Sequence, residues 1–532
     1  MSFADSIIII LYLAGITLVG LFVNRKKSAS AEDYFLAGRS LKWPVIGAAL
    51  FASNISTVQL VGLAASGYGD GLVWGNFEWM AVLTLIALGL IFAPFYFKTK
   101  ISTLPEFLER RYNRASRTCL AVLSLFGALF IHIGVSLYAG AVVLEHFFGI
   151  NIYLSIISIS FLTALYTIVG GLQSVVITET IQTIVIIGGA LLLTIFAILS
   201  LPEHGIHSLA ELKAATKPGQ LNIIPTDSNG SGLTIAGMLL GYPILGVWYW
   251  CADQTIVQRV LGARSLKDAQ IGPLFAAALK ILPVFILVLP GVLGYVLFSN
   301  EIKHANDTFP VLVNQLMPVG LKGLLTAALL AALMSTIAAA LSSAGSLVSI
   351  DIIKRNRPST PDAKLVKIGR ITAVVVMIIA ISWSPVIARF SSIFEALNVL
   401  LTVVSPPITT VFVWGVLWKR GNHQAAIASF IGGFTLGLIV FLLDFPLIGD
   451  TKYVTEVLGI SFMMQAWWLF VLTSGIYVVV SLLTPAPNAE KVQLYSFGFK
   501  TDSDVKQTQS RNKYPALIVN GVAGIANSSA KV

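Results

Sequence analysis

The sequence has few of the charged residues that cover soluble proteins, since they make up only 11% of its 532 residues. Soluble domains carry about 25% charged residues, so the composition excludes a large globular enzyme. There are only two cysteines, Cys119 and Cys251, and the Cys and His residues have no metal-ligand spacing. We therefore expect neither a disulfide framework nor a metal centre. No nucleophile–base pair or phosphate-binding loop indicates an enzyme.

What the chain has instead is long apolar runs, because 56% of its residues are hydrophobic and its mean hydropathy is +0.84. A membrane helix needs about 20 apolar residues, and runs near this length recur along the chain. They predict an all-α polytopic membrane protein with a single membrane domain. The thirteen predicted spans are 3–24, 44–66, 72–97, 118–144, 151–170, 175–200, 233–252, 272–299, 319–350, 367–388, 393–418, 424–443 and 465–484.

The net charge of +10 reflects how lysine and arginine are distributed over the loops, and it does not indicate nucleic acid. With thirteen spans, one set of alternate loops holds 22 of these residues and the opposite set holds 6. Cytoplasmic loops are the ones enriched in lysine and arginine. We therefore predict a multi-pass protein of the plasma or inner membrane with an external N-terminus and a polar cytoplasmic tail over 485–532.

One lysine lies deep inside a predicted span. Lys280 follows Ile271 by about 13 Å of helix, in a run to Phe298 that carries no other charge. A charge at that depth costs about 3 kcal/mol on insertion scales. We therefore expect Lys280 to have a partner, a water-filled cavity or a ligand. Pairing with Glu78 for packing alone is one alternative, and a shared substrate site is the other.

Further polar residues within the spans could complete such a site. Gln59, Glu78 and Asn398 supply amide and carboxylate groups, and Trp248-Tyr249-Trp250 supplies aromatic faces. A sugar needs groups of this kind, because its hydroxyls exchange hydrogen bonds and its C–H face packs on a ring.

Two of the predicted spans have interiors that do not suit an ordinary membrane helix. Ser53–Gln59 places five polar residues among seven at mid-span, and Gly241–Gly246 places a proline between two glycines. Both patterns predict discontinuous helices, five spans apart, which is typical of inverted repeats around a midplane site. The alternative is two kinked helices with satisfied interiors. The predicted parts are an extra helix at 3–24, a first repeat at 44–200, a second repeat at 233–418 and additional helices at 424–484.

The ninth span contains two adjacent hydroxyl residues, Ser335 and Thr336. Facing the free carbonyls of the break at Ala52–Ile55, they would form an all-oxygen cage of low charge. Such a cage suits a hard monovalent cation, although serine and threonine also join membrane helices in the ordinary way.

Several of these segments together resemble the sodium/glucose cotransporter branch of the sodium:solute symporter family. The resemblance covers residues 3–484, and the run from Trp248 to Arg259 is specific to the sugar branch. It implies a leucine-transporter-type 5+5 inverted-repeat fold and sodium-coupled sugar uptake by alternating access. The segments are Ala52–Ser56, Gly75–Trp79, Trp248–Arg259, Lys280–Pro283, Met334–Thr336 and Ser405–Pro407.

The resemblance also implies roles for individual residues. The sugar site would comprise Gln59, Glu78, His132, Tyr249, Trp250, Lys280 and Asn398, with Tyr249 as the inner stacking gate. The outer gate would comprise Leu63, Phe77 and Phe394. Sodium would bind the carbonyls of Ala52, Ile55 and Ala332 and the hydroxyls of Ser335 and Thr336, and Glu179 would lie on the sodium pathway.

The sequence departs from the family pattern at three places. Asn398 replaces the usual glutamine, and Glu179 replaces an aspartate, which changes the reach of both side chains. Ala338 and Ala339 stand where members with a second sodium have hydroxyl residues, so we predict one sodium per sugar. The alternatives are a symporter of an inositol, nucleoside or carboxylate, or a sugar-gated sensor or channel.

Overall fold

The regular structure of the chain is helical throughout its described segments. The computed structural model describes residues 2–23, 30–225, 233–389, 393–444, 451–488 and 492. Within these ranges the only bridge of β type is an isolated one between Leu41 and Ala263. Helices satisfy their own backbone hydrogen bonds, which is what a chain surrounded by hydrocarbon requires.

Among the described residues, ten helices are long and apolar enough to cross a membrane, and a bent pair of helices adds an eleventh span. The main helices, in chain order, are α1 (Phe3–Phe22), α2 (Trp43–Asn54), α3 (Thr57–Gly69), α4 (Leu72–Lys98), α5 (Arg114–Glu145), α6 (Ile152–Leu199), α7 (237–252), α8 (Gln254–Leu261), α9 (Leu266–Phe298), α10 (Leu321–Lys354), α11 (Asp362–Ile387), α12 (Ile393–Leu417), α13 (His423–Asp444) and α14 (Phe462–Leu483).

The longest helix, α6, contains two spans. It has 48 residues, and its backbone leaves helical geometry at Gly171, where φ is 62° and ψ is −161°. A side chain there would also meet the Tyr34 carbonyl at 2.6 Å, so only glycine fits this turn. With α6 divided and α7 included, the helices follow the thirteen predicted spans in order.

The second span is broken where the sequence predicts it. Helices α2 and α3 meet at an angle of 61°, and Ile55 and Ser56 between them have extended backbones. Ser56 caps the N-terminus of α3, with its side chain accepting a hydrogen bond from the Val58 amide. A serine followed three residues later by glutamine is a helix-start signal, so local sequence explains this break.

The seventh span is not broken at Gly241–Gly246, and that prediction is wrong. The segment is wound through, with π-helical turns at Gly237–Gly241 and Trp248–Ala252. Pro243 lies in the first turn of the intervening α-helix, where its missing N–H costs little. Gly241 instead allows close packing, because a side chain there would lie 2.1 Å from the Met463 carbonyl oxygen. The chain leaves the helix later, at Asp253, where ψ is 121°.

The eighth span has a break that the apolar run does not reveal. The first part of α9 ends at Leu279, Lys280 follows as its C-terminal cap, and a turn leads into Pro283. Proline has no N–H to bond the carbonyl one turn earlier, so the regular helix cannot continue. Lys280 therefore lies at the turn where the two regular parts of α9 meet.

Helix α10, which carries the predicted sodium residues, lies at the centre of the molecule. It packs against α6 and α1, and nearly all of its apolar window is buried. The predicted tail over 485–532 lies outside the described residues except for 485–488 and 492. The repeat boundaries remain predictions.

Candidate functional site

Lys280 has two partners inside the helix bundle. Its side chain is only 1% exposed, and its Nζ donates hydrogen bonds to Glu78 Oε2 and to Asn54 Oδ1. It also lies 5.6 Å from the centre of the Trp250 ring. A buried charge requires this kind of compensation. The sequence analysis identified Glu78 as a partner but not Asn54. The one feature that could have indicated Asn54 is its position as the last residue of α2, directly before the first break.

A small cavity adjoins this ion pair and brings most of the predicted sugar residues together. Its volume is about 50 Å³, whereas sites for small ligands usually measure about 300–1,000 Å³. The helices are therefore closed around the site, and a sugar needs them to separate. The polar and aromatic residues that line it are Asn54, Gln59, Phe77, Glu78, Tyr242, Tyr249, Trp250 and Lys280.

One of the two polar groups of the Gln59 side chain is already hydrogen-bonded within the protein. Its Oε1 accepts hydrogen bonds from the Ser56 amide at 3.0 Å and from Ser56 Oγ at 2.5 Å. The carbonyl end of the side chain therefore completes the cap of α3. Its amide nitrogen is the atom left to meet a solute.

His132 forms a buried pair with Asp253, which sequence reasoning did not single out. His132 Nε2 lies 2.5 Å from Asp253 Oδ2, and Asp253 Oδ1 accepts from the Thr255 amide at 2.9 Å. Asp253 thus both caps α8 and holds the imidazole. A second cavity of about 30 Å³ touches His132, Tyr249 and Thr336, so two residues of the predicted sugar site and one of the predicted sodium site share its wall.

The predicted outer gate is described in part. Leu63 is buried, and the Phe77 ring packs edge-on against Tyr242 with 5.0 Å between centroids. The side chains of Phe394 and Asn398 lie outside the described residues, although the backbone of both is helical. Leu397, between them, lines both cavities.

The predicted sodium residues converge between α2 and α10. Ser335 Oγ lies 3.0 Å from the Ala52 carbonyl oxygen and 2.7 Å from that of Ala332. Thr336 Oγ1 lies 3.1 Å from the Ser53 carbonyl oxygen. Ile55 is fully buried at the break. Two hydroxyls and several carbonyls therefore face one another, which is the neutral oxygen set that a small hard cation prefers.

Glu179 does not face the cage directly and is held by an arginine. Its Oε1 accepts from Ser53 Oγ at 2.8 Å, and its Oε2 accepts from Arg259 Nε at 3.0 Å. Both charged side chains are fully buried. A chain of contacts thus runs from Thr336 through Ser53 and Glu179 to α8. The sequence analysis did not single out Arg259. Its charge lies within the Trp248–Arg259 segment, which served there only as evidence of the family resemblance.

We expect Glu179→Gln to destabilise the protein by about 3–5 kcal/mol, because it leaves the Arg259 charge buried without a counter-ion. The double variant Glu179→Leu with Arg259→Met removes both charges and should recover most of the loss. Thermal unfolding in detergent measures the difference. The control is Arg264→Met, which breaks an ion pair whose arginine is 53% exposed and should cost at most about 1 kcal/mol. Equal losses in Glu179→Gln and Arg264→Met would contradict this.

The long loop after α6 is hydrogen-bonded to the C-terminal end of α3. Lys217 Nζ donates to the Gly69 carbonyl at 3.0 Å and lies over the Tyr68 and Tyr295 rings. The buried Gln220 amide donates to the Tyr68 carbonyl at 2.9 Å. This loop is therefore attached to α3, the helix that carries Leu63.

We expect Lys217→Gln to speed hydrogen exchange of the 216–224 amides by about 5- to 30-fold, because a cation over aromatic rings contributes about 1–2 kcal/mol. The matched control is Lys213→Gln on the same loop, where the lysine is exposed. Exchange that is unchanged in Lys217→Gln would show that the lysine does not hold the loop.

The side of the molecule with the basic loops has a wide vestibule of about 770 Å³. Arg117 lines it, and its guanidinium group binds Asp351 at 2.7 Å and Glu109 at 2.6 Å. Burial alone raises the pKa of Glu109, but hydrogen bonds from Arg355 and Arg117 outweigh it and lower the pKa below its usual value. Both residues of the Arg117–Asp351 pair lie at the ends of long helices, α5 and α10, which it joins.

Comparison with known proteins identifies the family of the chain. The model of the sodium:solute symporter family matches residues 34–433. The chain is 34% identical to the human sodium/myo-inositol cotransporter, over 96% of this chain and 78% of the relative. It is 36% identical to the sodium/mannose cotransporter of Bos taurus, over 93% and 89%. It is 34% identical to sodium/glucose cotransporter 2 of Rattus norvegicus, over 83% and 72%.

Solved structures share the architecture. A sodium-coupled sialic acid symporter matches with a TM-score of 0.77 and 23% identity, over 92% of this chain and 99% of the other. The nucleobase-cation symporter Mhp1 matches with a TM-score of 0.55 and 14% identity, over 88% and 99%. The prediction of a leucine-transporter-type fold is therefore confirmed. This chain belongs to the sodium:solute symporter family and is a sodium-coupled solute symporter.

Proposed function

We propose that this symporter carries a neutral polyhydroxy solute, with a hexose as the first candidate and a cyclic polyol such as myo-inositol as the second. The observation that carries the proposal is the compensated charge at the site: Lys280 donates hydrogen bonds to both Glu78 and Asn54. Together they offer donors and acceptors without a spare positive charge. A carboxylate solute needs such a charge, whereas hydroxyls exchange hydrogen bonds with neutral or paired groups.

Aromatic rings support the same assignment. Tyr249 and Trp250 form adjoining walls of the cavity, with their ring centroids 5.0 Å apart. A pyranose or cyclitol presents an apolar C–H face that packs on such rings, while its hydroxyls point to the polar groups. The similarity to cotransporters named for myo-inositol, mannose and glucose favours this class of solute.

The coupling follows from the shared helix break. Sodium bound by Ser335, Thr336 and the Ala52 carbonyl would fix the end of α2, and Asn54 at that same end contacts Lys280. Fixing α2 therefore presents Asn54 and Lys280 in the geometry that a sugar requires. Sugar binding would replace part of the Lys280 hydrogen bonding, and release would occur past Tyr249 on the side with the basic loops. We place that side in the cytoplasm and the N-terminus outside.

Uptake into proteoliposomes tests the proposal. Labelled glucose, galactose, mannose and myo-inositol are supplied with an inward sodium gradient or with choline in its place. We expect sodium-dependent accumulation of at least one of them, whereas a sensor or channel would depolarise the vesicles without accumulating the solute. Equal uptake in sodium and choline would refute symport of these solutes.

We further propose one sodium per solute molecule, because Ala338 and Ala339 provide no hydroxyls beyond the Ser335–Thr336 pair. The sodium dependence of the initial uptake rate should then have a Hill coefficient near one. Measurement of the charge moved per labelled solute checks the same ratio independently. A coefficient clearly near two would contradict this stoichiometry.

A further inference from the structure

An apolar groove of about 320 Å³ lies on the surface of the bundle between α1, the first half of α6 and α10. Its walls are aliphatic, with Leu13 on α1 and Leu162 on α6, and its floor is formed by Leu330 and Met334 of α10. It is separate from the cavities beside Lys280 and His132, and neither proposed substrate uses it.

The mouth of the groove faces hydrocarbon. Ile10 at its edge is 64% exposed, and the neighbouring side chains Ile157 and Phe161 on α6 are exposed as well. Exposed aliphatic side chains in the middle of membrane helices contact lipid and not water. The material available to fill the groove is therefore an acyl chain of the bilayer. The wall from Ser6 to Leu13 is about 10 Å long, which is the length of part of one acyl chain.

Two serines line the groove. The Ser6 hydroxyl donates to the Ser2 carbonyl at the N-terminal cap of α1, whereas Ser158 at the rim fits the other end of such a lipid. Ser158 is exposed and lines the groove, about 10 Å along the helix from the cap at Asn151. A hydroxyl in hydrocarbon favours a hydrogen-bond acceptor, and the ester carbonyls of a phospholipid are acceptors at the shallow edge of the bilayer. A phospholipid chain thus satisfies both the aliphatic walls and the rim.

The floor of the groove is the reverse face of the predicted sodium site. Met334 is 1% exposed, its carbonyl accepts a hydrogen bond from Tyr166 Oη at 3.2 Å, and the next residue is Ser335. Ser335 Oγ contacts the carbonyls of Ala52 and Ala332 on the opposite side. Tightly packed interiors transmit small displacements. A molecule in the groove therefore contacts the same helix, α10, that carries the Ser335 and Thr336 hydroxyls.

We propose that one phospholipid acyl chain occupies this groove and supports α10 behind Ser335, so that its presence sets the sodium affinity. The second half of the proposal rests on the sodium site proposed above. The binding half does not, because it can be measured without transport.

Photolabelling tests the binding half. The protein is reconstituted in phosphatidylcholine vesicles that contain phosphatidylcholine with a diazirine at mid-chain, irradiated, and mapped by peptide mass spectrometry. We expect label on the peptide with Leu330 and Met334, and at least a fivefold decrease in Leu162→Trp, whose ring fills the groove. The matched control is Ile157→Trp on the lipid-facing side, which should keep the label. Label confined to outward residues such as Ile157 and Phe161, or undiminished in Leu162→Trp, overturns the binding.

Sodium dependence tests the second half on the same variants. The sodium concentration for half-maximal uptake should change at least threefold in Leu162→Trp and not in Ile157→Trp. Lost label with unchanged sodium dependence overturns the regulatory role and leaves the binding intact. If Leu162→Trp fails to fold, Ile10→Trp fills the groove from α1 and gives the same two readouts.

Discussion

Replacing Lys280 with methionine is expected to lower sugar uptake about 100-fold or more at fixed sodium. The ammonium group is one of the donors at the proposed solute cavity, and a charged hydrogen bond contributes up to about 3 kcal/mol, which corresponds to about 100-fold in affinity. Initial rates in proteoliposomes over a range of sugar concentrations measure the loss. Retained uptake with normal sugar affinity would remove Lys280 from the set of ligands.

The structure adds a control that separates folding from binding. Lys280→Met leaves Glu78 as a buried unpaired carboxylate, which costs about 3–5 kcal/mol and could unfold the protein. The double variant Lys280→Met with Glu78→Gln removes both charges. We expect it to recover thermal stability while sugar uptake stays absent. Recovery of uptake together with stability would show that the pair only supports packing.

Replacing Ser335 with alanine is expected to raise the sodium concentration for half-maximal uptake about 10-fold. The change removes one oxygen from the set between α2 and α10, and the contribution of such a group is about 1–1.5 kcal/mol. The double variant Ser335→Ala with Thr336→Val should raise it about 100-fold. At saturating sodium, the maximal sugar uptake of Ser335→Ala should approach that of the unmodified protein, because the sugar residues are untouched.

Another serine on the same helix provides the matched control. Ser343 is fully buried, and its hydroxyl has no hydrogen-bond partner among the described residues. Ser343→Ala removes the same atom from α10, two turns away, and should leave the sodium dependence unchanged. An equal shift in Ser343→Ala and Ser335→Ala would mean that α10 responds to any loss of packing, and the sodium assignment would fail.

Local sequence patterns were sufficient for the features that depend on neighbouring residues. The order of the membrane helices follows from hydropathy, and the break between α2 and α3 follows from Ser56 and Gln59, which form a helix-start signal within four residues. The same reasoning failed at Gly241–Gly246, because glycine marks close packing as readily as it marks a break. Gly241 faces the Met463 backbone. The residues around Gly241 cannot reveal a packing contact that lies more than 200 residues away in the chain.

The amino-acid sequence by itself determined that this protein crosses a membrane repeatedly, and it identified Lys280 as a charge that needs compensation. Tertiary structure alone decided how that need is met. Asn54 lies 226 residues from Lys280 in the chain, Asp253 lies 121 residues from His132, and Arg259 lies 80 residues from Glu179. Burial costs can be estimated from composition and position, whereas pairing depends on which helix ends the packing brings within hydrogen-bond distance.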